Sequence, residues 1–357
     1  MHLLVGLAVL LVSAWSSRKL SLSKSRLLLL DHPNERSLHA TPIPRTGGLA
    51  ILLSFSLGLG LEGILSLTVL PSPGAFAASN LWILATLLFI AVVSMWDDWK
   101  ELSAVVRICA HILAAAGVVA GAGLKVASVS LPLAGVYSMG WIALPLTILW
   151  LVWMINLYNF MDGMDGFAGG MSVFGFGFLG LIAWGAGAHV VPVLALLAVA
   201  GVSGFLIFNW PPARIFMGDA GSTFLGFLAG VLSVWGVRDG LFDLWVPILV
   251  FSPFIVDATI TLLRRLFRGE KIWQAHREHY YQRLVLLGWS HRKTVLAEYG
   301  LMLACGGSAV IYQQVGPRLR LLVLLAWPII YVALAVSIRL AEQRKSPKYP
   351  KLATEKI

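Results

Sequence analysis

Five short stretches concentrate the side chains of this chain that could do chemistry: Asp31 to Gly48, Asp97 to Arg107, Asn156 to Gly170, Asn209 to Gly221 and Arg264 to Lys293. Asp97 and Asp98 are adjacent acids. Neighbouring carboxylates repel unless a cation or hydrogen bonds hold them, so the pair reads either as a solvated helix end or as a cation and proton site. Asn156, Asn159, Asp162 and Asp165 recur every three residues, which at a helix end keeps the first three near one face. Asn amides donate to phosphate or sugar oxygens, and Asp binds ribose hydroxyls or a metal. A structural turn is the plainer alternative, and an EF-hand is excluded because its twelve-residue ligand spacing is missing. In Phe216-Met-Gly-Asp219-Ala-Gly-Ser-Thr223 one carboxylate stands between two glycines just before an apolar run. A helix N-terminus opening there would attract phosphate, and an acid beside a phosphate makes sense chiefly with Mg²⁺ bridging them. A simple N-cap is the bland reading. His276-Arg277-Glu278-His279 carries two imidazoles three apart. Zinc would need a third ligand and a defined second shell, so contact with a pyrophosphate, or an ordinary basic interfacial loop, fits better. Asp257 lies about two turns inside an apolar run, where an acid is functional or paired. Asn209 and Lys100 are secondary candidates at the edges of these stretches.

The elements that carry these residues follow from composition. Apolar residues make up 58% of the chain and charged ones 12%, against about 25% charged in soluble domains. The apolar residues come in long blocks, which is the pattern of membrane helices. Eleven spans are predicted, near 2–17, 47–66, 80–96, 103–123, 139–157, 171–187, 190–208, 221–237, 243–263, 294–314 and 320–339. The expected fold is therefore an all-α polytopic bundle, with one membrane domain over 1–340 and a basic tail over 341–357. With the N-terminus outside, 23 of the 27 Lys and Arg residues fall on the inner side; Lys125, Arg238, Arg318 and Arg320 are the other four. That asymmetry predicts N-out, C-in, with all five polar stretches on the cytoplasmic face. The net charge of +10 is then an orientation and headgroup signal, and nucleic acid is not an expected partner.

Smaller features fit the same picture. Residues 2–15 read as a retained helix rather than a signal peptide, since no basic residue precedes the apolar run. Residues 124–138 alternate enough for a short external hairpin. Cys109 and Cys305 sit inside predicted spans and imply no disulfide. Gly175-Phe-Gly177-Phe-Leu-Gly180 spells a dinucleotide fingerprint without the strand that the motif needs, so close helix packing explains it. A transporter would place its ionisable groups near the bilayer midplane, often within inverted repeats. Here the polar loops crowd one face and no repeat is visible.

Taken together, these loops resemble the polyprenyl-phosphate N-acetylhexosamine-1-phosphate transferase superfamily, glycosyltransferase family 4. The resemblance runs from Asp31-His-Pro-Asn-Glu-Arg36 and Pro42-Ile-Pro-Arg45-Thr-Gly-Gly48 to His276–Arg283. It implies that Asp97 and Asp98 lie near a prenyl phosphate and that Asp219 is the ligand of Mg²⁺, or of Mn²⁺ in its place. By the same resemblance Asn156, Asn159, Asp162 and Asp165 form the nucleotide-sugar loop, and Phe216 stacks on uracil. Arg36, His39, Arg45 and Arg277 are expected to bind substrate, and His276 and His279 join the catalytic group. His-Arg-Glu-His stands in place of the His triplet of lipid I synthases, and Arg45 departs from their Thr-Pro-Thr-Met-Gly-Gly pattern. Both departures resemble the O-antigen-initiating subgroup, which uses N-acetylglucosamine or 6-deoxy-N-acetylhexosamine donors; a phospho-N-acetylmuramoyl-pentapeptide transferase is the alternative. The substrates implied are undecaprenyl phosphate and a UDP-sugar at the bacterial inner membrane, in an assembly compatible with a homodimer.

Overall fold

A computed structural model describes residues 1–22, 29–31, 42–68, 77–271 and 276–345. Ten helices among them are long and apolar enough to cross a membrane. They are α1 (His2–Leu22), α2 (Gly47–Thr68), α3 (Ala78–Lys100), α4 (Ala104–Ala122), α5 (Ala143–Met161, entered through a 3₁₀ turn at Gly140–Ile142), α6 (Phe167–Gly185), α7 (Val190–Asn209), α8 (Gly218–Arg238), α12 (His291–Gln314) and α13 (Pro317–Lys345). The ninth expected span, 243–263, is not one helix. It divides into α9 (Trp245–Val250) and α10 (Ser252–Phe267), with the break at Phe251 and Pro253 in the first turn of α10. Proline lacks the N–H that a continuous helix would use and is at home in a first turn. A short helix, α11 (Tyr280–Leu286), precedes α12. The expected hairpin is present as β3 (Ser128–Leu131) paired antiparallel with β4 (Gly135–Ser138), and a two-residue pair, β1 (Leu30–Asp31) with β2 (Ile43–Pro44), flanks the N-terminus of α2.

The bundle is built around α8, which is enclosed over 94% of its apolar stretch, whereas α13 is enclosed over only 6% of its own. A helix apolar on all sides belongs in the middle of such a bundle. Close approach is achieved with glycine: a Cβ on Gly48 of α2 would lie 2.3 Å from the backbone nitrogen of Gly221 in α8. In contrast, α13 leaves Leu322, Leu325, Ile329 and Val332 exposed, a surface suited to lipid. Its helix continues past the expected start of the tail, because Glu342 pairs with Arg283 of α11 through two bonds of 2.7 and 2.6 Å. The C-terminal ends of α3, α5, α7 and α10 and the N-terminal ends of α2, α4, α6, α8 and α12 all carry the polar stretches of the sequence, so the up-and-down topology gathers them at one end of the bundle.

Candidate active site

The N-terminus of α8 organises the site. The segment leading into it is held by three backbone bonds: Phe216 N–H to Pro44 O at 2.7 Å, Gly47 N–H to Phe216 O at 2.8 Å and Gly48 N–H to Met217 O at 2.7 Å. The chain then turns through Gly218 at φ +72°. Only glycine suits that turn, since a Cβ would also stand 2.5 Å from Arg45 O. The next two N–H groups, which the helix itself cannot satisfy, both go to Asp98. Asp219 N–H donates to Oδ1 at 3.0 Å and Ala220 N–H to Oδ2 at 2.8 Å. Asp98, carried on α3, thus caps α8 from another helix, with its charge at the favourable end of the dipole. Arg45 Nη2 donates to Asp98 O at 2.9 Å and closes the corner.

Asp97, one residue earlier, is also buried. Its Oδ1 accepts from Leu102 N–H at 2.7 Å, and Arg107 Nη1 stands 3.6 Å from Oδ2. Asp219 is half-buried, with Oδ1 accepting from Asn159 Nδ2 at 2.5 Å; the same amide reaches Ser222 Oγ at 3.4 Å. Asp162 follows the last residue of α5. Burial among protein atoms, and then the charges of Asp219, Asp98 and Asp31, push its carboxyl well above the usual carboxylate range. Asp162 thus borders three acids from two helices, Asp97, Asp98 and Asp219, which Arg45 and Arg107 partly counter. A site of this sign attracts a cation. Among the described residues no group of three or more His, Cys, Asp or Glu side chains is arranged to hold a metal alone. Mg²⁺ is ordinarily held by one or two carboxylates plus substrate phosphates and water, and Asp219 could supply one such carboxylate.

His111 escapes the sequence reading, and Arg107 enters it only as the end of a polar stretch. Arg107 and His111 lie four apart on α4, on one face. His111 is buried and its Nδ1 lies 3.4 Å from Asn156 Nδ2, which also donates to Val152 O at 2.7 Å. The available signal was a charge and an imidazole inside an otherwise apolar span.

A second grouping repeats the capping device. Asp257 of α10 accepts from Tyr280 N–H at 3.0 Å and Tyr281 N–H at 3.3 Å, and its Oδ1 faces His279 Nδ1 at 3.1 Å. The buried acid thereby fixes the start of α11 and His279, the residue just before it. The ring of His276 lies 4.8 Å from that of His279. Burial first, then His279 and Arg265, pushes the His276 imidazolium down to about 4, so the ring is neutral at pH 7 and available as a hydrogen-bonding group. Between the two, Glu278 binds Arg265 at 2.8 Å and also Arg268. Tyr281 joins this grouping to the acid cluster: a Cβ on Gly163, beside Asp162, would meet its hydroxyl.

The remaining sequence candidates are placed as follows. Asp165 is buried, accepts from Ala213 N–H at 3.0 Å and lies 3.4 Å from His291. Asn209 joins Gly166 N–H to Ile215 O. Both engage protein groups that brace the loop before α8. Phe216 and Arg277 are half-buried beside the two groupings. Lys100 is exposed, with its ammonium 5.2 Å from the Trp99 ring. Arg36 and His39 lie outside the described residues.

The sequence profile of glycosyl transferase family 4 matches residues 80–237, which span α3 to α8. A probable undecaprenyl-phosphate N-acetylglucosaminyl 1-phosphate transferase of Bacillus subtilis is 32% identical over 80% of this chain and 77% of its own length. A decaprenyl-phosphate N-acetylglucosaminephosphotransferase of Mycobacterium leprae is 29% identical over 83% of this chain and 80% of its own. A phospho-N-acetylmuramoyl-pentapeptide-transferase of Oceanobacillus iheyensis is 32% identical over 50% of this chain and 54% of its own.

Proposed function

The chain belongs to glycosyl transferase family 4, and on that premise we propose that it transfers N-acetylhexosamine 1-phosphate from a UDP-sugar to undecaprenyl phosphate. The observation that carries this reading is the acid cluster at the N-terminus of α8, with Asp219 held by Asn159 and its helix start capped by Asp98. A prenyl phosphate oxygen attacks the β-phosphorus of the donor, the bond from that phosphorus to the bridging oxygen breaks, and UMP leaves with that oxygen. A phosphomonoester has its second pKa near 6, so the nucleophile is mostly dianionic at neutral pH. The task left to the protein is positioning and neutralising charge. Mg²⁺, when bound at Asp219, supplies charge neutralisation between the two phosphates. Asp97 accepts whatever proton the nucleophile retains, Asp98 fixes Asp219 in register, Arg45 and Arg107 moderate the negative field, and His276 donates a hydrogen bond to the donor's phosphates.

An N-acetylglucosamine donor is favoured, because the relatives named for it match about four-fifths of this chain and the pentapeptide transferase half. The product would start a lipid-linked envelope polysaccharide such as an O-antigen, and the basic-residue asymmetry supports a cytoplasmic site in the inner membrane. The test is isotope exchange. One phosphoanhydride is broken and another made, so the equilibrium constant should lie within about two powers of ten of unity, or roughly 3 kcal/mol. Labelled UMP should enter the UDP-sugar pool when lipid-linked product and Mg²⁺ are present. Release of UDP with no UMP exchange would mean that the hexose moves without its phosphate, and the proposal would fall.

A further inference from the structure

Near the other end of the bundle lies a cavity of about 740 Å³ that the transfer reaction does not use. Trp235, which lines it, is sixteen residues along α8 from Asp219, or about 24 Å at the helical rise. The volume falls within the range of small-molecule sites, roughly 300–1,000 Å³. Its walls are apolar, including Leu84 of α3 and Phe176 of α6. Leu181 and Trp184, also on the lining, are more than half exposed, so the cavity opens sideways toward the lipid. Gly177 of the glycine-rich stretch in α6 has an assignment here. Its companions are packed, with a Cβ on Gly175 meeting Phe251 at 2.3 Å and one on Gly180 meeting Ala195 at 2.8 Å. A Cβ on Gly177 would meet nothing within 4 Å, because it faces the open space.

The polar side chains of the lining are His2, Glu62, Ser66, Asn80 and His189. Glu62 stands inside the apolar run of α2 with its side chain 11% exposed. Its Oε2 pairs with His2 Nδ1 at 2.7 Å, while Oε1 is buried with no hydrogen-bond partner among the described residues. An intramembrane acid calls for a functional partner, and a buried acceptor without a donor is expensive to maintain. The occupant must therefore combine a hydrocarbon chain with an N–H donor, preferably cationic, for Glu62. Two imidazoles on the same rim suit an anionic group beside that donor. An anionic lipid without an amine would set a second negative charge against Glu62, and a quaternary ammonium has no N–H to give.

We infer that this cavity binds a zwitterionic aminophospholipid, its ammonium on Glu62 Oε1, its phosphate facing His2 and His189, and one hydrocarbon chain laid against Gly177. The site is independent of the proposed reaction. Native mass spectrometry of the delipidated full-length chain in detergent, titrated separately with dioleoyl phosphatidylethanolamine, phosphatidylcholine and phosphatidylglycerol, tests it. The wild type should retain the ethanolamine lipid about tenfold better than either of the others, which corresponds to about 1.4 kcal/mol. Glu62→Gln should erase that preference while binding all three weakly, and Gly177→Phe should lose the bound lipid by filling the space. Equal retention of the three lipids by the wild type overturns the inference, and that measurement does not depend on either variant folding. Unchanged ethanolamine preference in a folded Glu62→Gln protein overturns it as well.

Discussion

Asp98→Asn should behave as a stability mutation as well as a catalytic one. In the native site both carboxylate oxygens accept backbone N–H groups of α8, at 3.0 and 2.8 Å. The amide keeps one acceptor and turns an NH₂ toward the other N–H. A hydrogen bond to a charged group contributes about 1.5–3 kcal/mol, and an anion at a helix N-terminus about 0.3–1 kcal/mol. Relief of repulsion with Asp219 offsets part of that, leaving a net loss of about 2–3 kcal/mol by these figures. At roughly 2 °C per kcal/mol for a large chain, melting should fall by about 4–6 °C. The assay is thermal unfolding in detergent by tryptophan fluorescence, run beside Asp219→Asn. That second variant keeps the backbone donor to Asp98 and an acceptor for Asn159, and removes one charge from a crowded cluster, so it should melt at or above the wild-type temperature. If Asp98→Asn melts with the wild type while losing all turnover, the capping role is wrong and the carboxylate acts on substrate alone.

Other outcomes follow from the same geometry. Asp219→Asn should abolish Mg²⁺-dependent transfer in a folded, inserted protein; activity near the wild-type rate would move the metal elsewhere. His276 is depressed to about 4, below its unfolded value near 6.5, so the unfolded chain takes up its proton first as pH falls. The native state should therefore lose stability between pH 6.5 and 4, and His276→Gln should flatten that part of the melting-temperature profile; identical profiles would refute the assignment. Arg283→Ala removes both bonds to Glu342 and should speed proteolysis at the end of α13 without changing the rate of transfer, as limited digestion beside an activity assay would show.

Hydropathy alone located ten of the helices to within a few residues, because a membrane span must satisfy its backbone internally and shows as one apolar block. It missed the break at Phe251, since 243–263 is apolar on average despite Ser252 and Asp257, and an average over side chains carries no record of the backbone path. Ser252-Pro253 was the visible sign. The residue types of the site were equally legible, but not all their partners. Nothing local to Asp98 indicates that it caps a helix starting 120 residues later, and nothing local to Asp257 shows that it holds Tyr280 and Tyr281. Asp165 and Asn209 carried the right chemistry in the right loops, and tertiary contacts turned them inward to brace the approach to α8. His111 was hidden by its apolar neighbours.

The cap that Asp98 places on α8 also bears on how the protein comes to exist in a bilayer. Synthesis delivers α3 well before α8, so for the time taken to make the intervening residues two acids stand near the membrane boundary without the N–H groups that later receive one of them. The α8 start, for its part, emerges with orphan donors that only an earlier helix can satisfy. This corner is thus also a lock between the two halves of the nascent chain, and a polypeptide truncated before residue 218 would present the Asp98 carboxylate without its backbone donors where a finished one shows a closed joint.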